Sequence, residues 1–176
     1  MRAEGILPTI GSKYDPLTGL YNRDVFYMEA QLLMGARYDT KYSIVCMDIS
    51  CFKIINDLFH VDTGNVILQA AANYIKETLN PRTSISCRAD ADHFILCVPS
   101  EELHIEQIIK DLDARIQSLH ISHNILFFAG IYPVENTRLP IDQMCDRAGM
   151  ALRRIKGNYV TRYAYYDAKM REQMIE

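Results

Sequence analysis

One continuous apolar run, KYSIVCMDI at residues 41–49, constrains the fold more than any other feature of the sequence. A short run of this kind, apolar without alternation, predicts a strand that is buried on both faces. The run NILFFAGIYP at residues 124–133 predicts a second buried strand. The chain is therefore expected to build its core around a sheet.

Two further strand-like runs are separated by a short polar linker, which predicts a β-hairpin. They are TSISCR at 83–88 and HFILCVP at 93–99, with ADAD between them. RYAYYD at 162–167 predicts a final strand. Apolar residues at helical spacing predict helices between these strands. The fold class is therefore α/β, a sandwich whose sheet is at least partly antiparallel because of the hairpin.

The composition of the chain favours some classes of protein and argues against others. The 176 residues suit a single domain, and 49% apolar with 23% charged residues are typical of a soluble globular chain. A formal charge of -3 argues against a nucleic-acid binder, which normally has a strongly basic face. We find no apolar run of about 18 residues, so no membrane insertion is predicted. Residues 1–13 are interpreted as a lead-in or linker.

The five cysteines predict neither a disulfide framework nor a zinc site. None is part of a CxxC pair, and no histidine stands at the spacing of a zinc finger. Three of them lie within apolar strand-like runs, where cysteine is usually a small buried hydrophobe. A reducing cytoplasm is the expected location.

Two acidic residues are candidates for a metal site. Asp48 stands at the C-terminal end of a buried strand, where ligands of α/β sheets bind, and Asp92 stands in the predicted hairpin turn. If the two elements are neighbours in the sheet, both carboxylates can converge on one Mg²⁺, which favours one or two carboxylates plus phosphate oxygens. The alternative is that Asp48 caps the following turn and Asp92 is a solvated turn residue.

Several other polar residues suit a nucleotide. Lys53, Arg88 and Lys156 could neutralise a triphosphate, or each could be a surface charge. Asn56 and Asn65 flank a loop and could hydrogen-bond a base, or serve as ordinary turn formers. Spacing alone leaves these alternatives open.

Four segments, in matching order over about residues 13–167, resemble the GGDEF domain family of diguanylate cyclases, which condense two GTP into cyclic di-GMP. They are DPLTGLYNRDVF at 15–26, DISCFKIINDLF at 48–59, RADADHF at 88–94 and AGMALRRIKGN at 148–158. The resemblance implies a nucleotidyl cyclase-like fold with a five-stranded mixed, largely antiparallel sheet flanked by helices. It implies a GGDEF domain over 14–167 and a C-terminal linker over 168–176.

The resemblance also implies roles for individual residues. The metal, Mg²⁺ arriving only with a bound nucleotide, would be held by the acids and one backbone carbonyl. The implied ligands are Asp48, Ile49 and Asp92 for the metal, Phe52 and Lys53 for the phosphates, Asn56 and Asn65 for guanine, and Lys156 for the terminal phosphate.

The signature motif departs from the family pattern GG[DE]EF, since it reads Asp90, Ala91, Asp92, His93 and Phe94. Glycines there allow the backbone to approach the α-phosphate, and Asp90 and Ala91 add side chains. His93 replaces the second acid, and a histidine can in principle accept a proton, so this change alone does not decide activity. No residue is assigned as catalytic.

Departures also occur outside the signature. Asn65 replaces an aspartate that faces guanine, and an amide offers only one acceptor oxygen. Ser50 and Val160 replace further residues of the family pattern. The family's product-inhibition motif RxxD is absent, because PRTS stands at 81–84.

The hypothesis that follows is a degenerate, catalytically inactive GGDEF domain that acts as a regulatory module in bacterial cyclic di-GMP signalling, with GTP as its candidate ligand. The first alternative is an active diguanylate cyclase with a variant motif, which requires a homodimer. The second is an interaction domain that binds no nucleotide. Because KGNYVTRYAYYDAKMREQMIE resembles the segment that joins GGDEF to EAL phosphodiesterase domains, a neighbouring EAL or sensory domain in a longer chain is the expected partner.

Overall fold

The computed structural model describes residues 13–156, 158 and 160–175, so residues 1–12 of the predicted lead-in lie outside the described residues. The helices are α1 (Arg23–Ala36), α2 (Phe52–Phe59), α3 (Val61–Thr78), α4 (Ile105–Gln117), α5 (Ile141–Ile155) and α6 (Ala168–Ile175). The strands are β1 (Tyr42–Ile49), β2 (Ile85–Asp90), β3 (His93–Pro99), β4 (Phe127–Pro133) and β5 (Tyr163–Tyr165).

The five strands form one sheet in the order β2-β3-β1-β4-β5. Strand β1 lies at the centre and pairs antiparallel with β3 on one side and with β4 on the other. Strands β2 and β3 form the predicted hairpin, and among the pairs of strands named above only β4 with β5 is parallel. The predicted α/β class and the mixed, largely antiparallel sheet are thus confirmed.

The sheet is buried on both faces, which explains why its central strands are continuously apolar. On one face, alternate residues of β1 such as Val45 and Met47 pack with Leu68 and Leu112 of α3 and α4. On the other face, α1 and α5 cover the sheet, and a second cluster of buried side chains contains Ile44 with residues of both helices. The antiparallel pairing places the end of β1 beside the start of β3.

Local sequence signals account for several boundaries. The Asn22 side chain accepts a hydrogen bond of 2.9 Å from the Val25 N–H and so caps α1. Strand β4 approaches α5 closely at Gly130, where a Cβ atom would lie 2.1 Å from the carbonyl oxygen of Ala148. Helix α6 begins where the predicted C-terminal linker begins, and its Met170 is buried.

The cysteines lie mostly in the core. Cys87, Cys97 and Cys145 are buried, Cys46 is half-buried and Cys51 is exposed, and all five are free thiols. Burial raises the pKa of the Cys46 thiol to about 12. None of the helices described between residues 13 and 175 has the length and hydrophobicity of a bilayer-spanning segment.

Candidate functional site

Asp48 is the second-last residue of the central strand and is buried, with only 1% of its surface exposed. Its Oδ2 atom lies 2.8 Å from Lys156 Nζ and 3.5 Å from His93 Nε2. Its Oδ1 atom is buried and has no hydrogen-bond partner among the residues that the structure describes. One carboxylate oxygen is therefore held by two basic side chains, and the other is left for a further ligand.

The hairpin brings Asp92 to the same place. Strand β3 lies next to β1, so the β2–β3 turn lies beside the end of β1. The Asp92 Oδ2 atom accepts a hydrogen bond of 3.0 Å from the backbone N–H of Ile49, the residue after Asp48. The structure thus brings together Asp48, Ile49, Asp92 and Lys156, all of which the sequence had proposed for one site.

The turn itself is strained. Ala91 has a φ of 35°, in the left-handed region that favours glycine. The pairing register of β2 shifts between Arg88 and Asp90, and Asp90 pairs with His93 across the turn. Side chains are therefore present at every position of the turn where the family pattern has glycine.

Arg88 stabilises the signature turn. Its Nε donates a hydrogen bond of 2.7 Å to the carbonyl oxygen of Ala91, and its guanidinium lies 3.2 Å from Asp15 Oδ1. Asp15 in turn accepts hydrogen bonds from the N–H and hydroxyl of Thr18. Sequence reasoning offered Arg88 as a phosphate ligand and missed this role, although Asp15 and Thr18 stand within the DPLTG segment that carried the resemblance.

The basic groups beside Asp48 are electrostatically stabilised as cations. The hydrogen bond to Asp48 raises the pKa of His93, with the charge of Asp92 contributing and burial opposing the rise. The hydrogen bond to Asp48 likewise raises the pKa of Lys156. These basic groups compensate the charge of a buried carboxylate, whose burial would otherwise be unfavourable.

The acidic residues fit a Mg²⁺ ion that arrives with phosphate groups. In the described part of the chain, no three His, Cys, Asp or Glu side chains are arranged to hold a metal on their own. Mg²⁺ often uses only one or two carboxylates and takes its other ligands from phosphate and water. The unpartnered Oδ1 of Asp48, with Asp92 beside it, suits this mode of binding.

The residues proposed for the base lie where α2 meets α3. The Asn56 Oδ1 atom is buried and has no partner in the described residues. A Cβ atom on Gly64 would lie 1.9 Å from this oxygen, so a larger residue there would displace the Asn56 side chain. Asn65 follows Gly64 and is half-buried, whereas Lys53 is exposed and Phe52 is buried in the core.

A cavity of about 500 Å³ opens beside this site, between the sheet and helices α1 and α5. Asp48, His93 and Lys156 line it at one end. Arg23, Asp146 and Arg153, which the sequence had not suggested as site residues, also line it. Charges of both signs therefore surround the cavity.

Similarity to known proteins identifies the family of the chain. The sequence profile described as "Diguanylate cyclase, GGDEF domain" matches residues 12–160 of the chain. The chain belongs to the GGDEF domain family. A GGDEF domain of this kind is a part of cyclic di-GMP signalling, and the resemblance drawn from the four segments is confirmed.

Relatives of this GGDEF domain are much longer proteins. The chain is 25% identical over 166 residues to the uncharacterised protein y4lL of Sinorhizobium fredii, a match that covers 90% of the chain and 20% of the relative. It is 30% identical over 114 residues to the cyclic di-GMP phosphodiesterase PdeB of Shewanella oneidensis, covering 64% of the chain and 13% of PdeB. The chain thus spans a fifth or less of the length of these relatives.

The fold of the domain is also found among solved structures. The GGDEF domain of DgcB from Caulobacter crescentus, solved in complex with c-di-GMP, superposes with a TM-score of 0.70. The match covers 88% of this chain and 95% of the DgcB domain at 20% sequence identity. The likeness establishes the shared architecture.

Proposed function

We propose that this GGDEF domain does not condense GTP and acts as a regulatory module in cyclic di-GMP signalling. In this proposal the site keeps the groups that bind a magnesium nucleotide but has lost the shape needed for catalysis. Residues 14–167 form the module, and the neighbouring parts of a longer chain respond to it.

The observation that carries the proposal is the signature turn. The reaction requires the turn backbone to lie against the α-phosphate, which glycines permit because they have no side chain. Here Asp90 adds a negative charge and Ala91 adds a Cβ atom at a φ of 35°. A phosphate group approaching this backbone would meet both steric and electrostatic repulsion.

His93 supports the same conclusion. It occupies the position of the second acid, to which the family assigns deprotonation of the attacking 3′-hydroxyl. Its Nε2 lies 3.5 Å from Asp48 Oδ2, and the resulting rise in pKa favours the protonated ring. A protonated imidazole cannot accept a proton, so a raised pKa works against a general-base role for His93.

Nucleotide binding has separate support. Asp48 and Asp92 would hold Mg²⁺, which neutralises the charge of the phosphates when it is bound. Lys156 lies within 2.8 Å of Asp48 and would exchange that contact for a phosphate oxygen. Phe52 is buried in the core at the start of α2, and Lys53 would contact the phosphates while Asn56 and Asn65 would contact the base.

The decisive experiment incubates the purified protein with GTP and Mg²⁺ and measures cyclic di-GMP by mass spectrometry. We expect no product from the natural chain, with a competent GGDEF protein assayed in parallel as the positive control. Product that disappears in Asp92→Ala would overturn the proposal. The triple variant Asp90→Gly, Ala91→Gly and His93→Glu tests whether the turn alone is responsible.

Calorimetric titration separates a nucleotide sensor from a bare interaction domain. We expect GTP with Mg²⁺ to bind, and Asp48→Asn to abolish the binding. Absence of heat and of a thermal shift at millimolar GTP and ATP would remove the nucleotide from the proposal and leave an interaction module.

An active cyclase is the second candidate, and one observation favours it. The unpartnered Oδ1 of Asp48 and the adjacent Asp92 preserve the acidic pair on which the metal would depend. Such an enzyme would need two GTP-loaded copies facing each other. Product formation that rises with the square of protein concentration in dilute samples would identify it.

The length of the relatives supports the proposal that this domain regulates a neighbouring domain. PdeB is a cyclic di-GMP phosphodiesterase more than seven times as long as the matched segment. A ligand shifts a conformational equilibrium only if it binds two states with different affinity. We therefore expect GTP to change the activity of an attached EAL domain in the full-length protein, and expect Asp48→Asn to remove that response.

A further inference from the structure

A second cleft lies at the end of the β2–β3 hairpin opposite to the signature turn. It is formed by α3, α4 and the residues that lead into β2, and it has a volume of about 270 Å³. This volume equals that of about nine water molecules at about 30 Å³ each. Tyr74, Ser84, Val98 and Ile108 form its floor and are buried. The cleft shares no residue with the site around Asp48.

Ser84 gives the floor an unsatisfied polar group. The residue is 4% exposed, and its Oγ atom has no hydrogen-bond partner among the described residues. A buried hydroxyl without a partner is unfavourable, so it favours a ligand that offers a polar atom. The apolar surfaces of Val98 and Ile108 beside it favour a ligand with an apolar part.

The rim of the cleft is acidic. Glu102 and Asp111 line it, and neither lysine nor arginine is among the described lining residues. Glu102 accepts a hydrogen bond of 2.9 Å from the Thr83 hydroxyl. Asp111 accepts hydrogen bonds from Tyr74 and Gln107 at 3.0 and 2.7 Å. Because each carboxylate has about four acceptor positions, both retain capacity for a further donor.

Two basic side chains lie at or beside the cleft, since His104 lines it and Arg115 lies next to Tyr74. The Arg115 guanidinium lies over the Tyr74 ring at 5.5 Å and pairs with Glu77. Arg115 also interacts electrostatically with Asp111, but one guanidinium shared between Glu77 and Asp111 leaves Glu102 and Asp111 with a net negative charge at the cleft. An anion such as a phosphate ester would be repelled there, whereas a cation would be attracted.

We propose that this cleft binds a small organic cation, namely a primary amine or guanidinium group on a short apolar chain. The cationic N–H groups donate to the carboxylates of Glu102 and Asp111 and to the Ser84 Oγ atom. The apolar chain packs against Val98, Ile108 and the face of Tyr74. This binding is independent of the nucleotide site and goes beyond the proposed regulatory function.

The test uses three probes with the same four-carbon skeleton on the full chain, namely butylamine, butyrate and butanol. Backbone amide shifts in two-dimensional NMR report where each probe binds. We expect butylamine alone to give saturable shifts at Ser84 and Asp111. Equal shifts with butanol or butyrate, or no saturable shifts with butylamine, would overturn the proposal.

Variants test the role of the carboxylates. We expect Glu102→Gln combined with Asp111→Asn to weaken butylamine binding at least tenfold. Glu101→Gln, one residue away and outside the cleft lining, is the matched control and should bind as the natural chain does. Unchanged affinity in the double variant would contradict the proposal. Because Glu102 is exposed, Glu102→Gln alone should fold normally and still weaken binding severalfold.

Discussion

Ala91 holds a backbone conformation that residues with a side chain rarely adopt, and its neighbours explain how it is kept there. Arg88 donates to the Ala91 carbonyl oxygen and is itself fixed by Asp15. Asp92, the next residue, is tied to the N–H of Ile49. Contacts on both sides of the turn therefore stabilise a conformation that costs free energy locally.

Replacing Ala91 with glycine should relieve this cost. We expect Ala91→Gly to raise the free energy of unfolding by about 0.5–1 kcal/mol, since φ is 35° in the folded protein. Ala114→Gly, on an exposed position of α4, is the control and should lower it by about 0.5–1 kcal/mol. Urea denaturation measures both, and a loss of stability in Ala91→Gly would contradict the strain at this turn.

Lys156 should contribute to stability through Asp48. We expect Lys156→Met to lower the free energy of unfolding by about 1–2 kcal/mol, because a buried carboxylate loses its nearest cation. The figure is modest because half of the Lys156 side chain is exposed. Arg115→Met breaks an exposed ion pair with Glu77 and should lower the free energy of unfolding less than Lys156→Met does. Equal losses in the two variants would argue against a special role for Asp48.

His93 should make stability depend on pH. Its pKa in the folded protein is raised above the ordinary 6.5, chiefly by the hydrogen bond to Asp48. Its stabilising contribution is therefore complete below about pH 6.5 and is lost as pH rises through the folded-state pKa. We expect the difference in unfolding free energy between the natural chain and His93→Gln to be larger at pH 6 than at pH 9, measured in EDTA to exclude metals. A difference that grows with pH would contradict this contact.

At the scale of elements, the site depends on how closely helices approach the sheet. Helix α5 ends at Ile155, one residue before Lys156, and packs against β4 over Gly130. Any outward movement of α5 would withdraw Lys156 from Asp48. The small size of Gly130 therefore helps to set the position of Lys156. Gly130 lies in β4, which is two strands away from β3 of the hairpin.

Gly130 offers a direct test of this packing. We expect Gly130→Ala to lower the free energy of unfolding by about 3 kcal/mol, because the new Cβ atom would lie 2.1 Å from one backbone atom and 2.4 Å from another. Gly35→Ala is the matched control, since nothing lies within 4 Å of its Cβ position in α1. That change should raise stability by about 0.5–1 kcal/mol. Similar effects in both variants would contradict the close approach of α5.

At the scale of the whole molecule, the central strands contribute side chains to both faces of the sheet. Alternate residues of β1 belong to the core under α3 and α4 and to the core under α1 and α5. Because β1 has side chains in both cores, unfolding of one layer would also disrupt the strand that supports the other layer. The two layers are therefore expected to be thermodynamically coupled.

This coupling predicts a single unfolding transition. The chain has no tryptophan and 11 tyrosines, so tyrosine fluorescence reports tertiary structure. Tyr74 is buried on one face of the sheet and Tyr132 on the other. We expect tyrosine fluorescence and far-UV circular dichroism to give the same urea midpoint. Separate midpoints would indicate that the two layers unfold independently.

The sequence determined the elements and the family. The buried strands, the hairpin and the amphipathic helices could be predicted because each depends on the spacing of apolar residues close together in the chain. The motif segments likewise identified the nucleotidyl cyclase-like architecture, because they occur in order over most of the chain. Asp48 and Asp92 could be proposed for one site once β1 and the hairpin were assumed to be neighbours.

Only the tertiary structure decided which groups face one another. Three contacts of the site join residues between 43 and 73 positions apart. They are the contact of His93 with Asp48, the hydrogen bond from the Ile49 N–H to Asp92, and the ion pair of Arg88 with Asp15. No local pattern encodes such pairs, because they depend on strand order and on where each strand ends. The sequence shows which residues are charged. Their partners, and therefore the electrostatic environment of the site, are determined by three-dimensional packing.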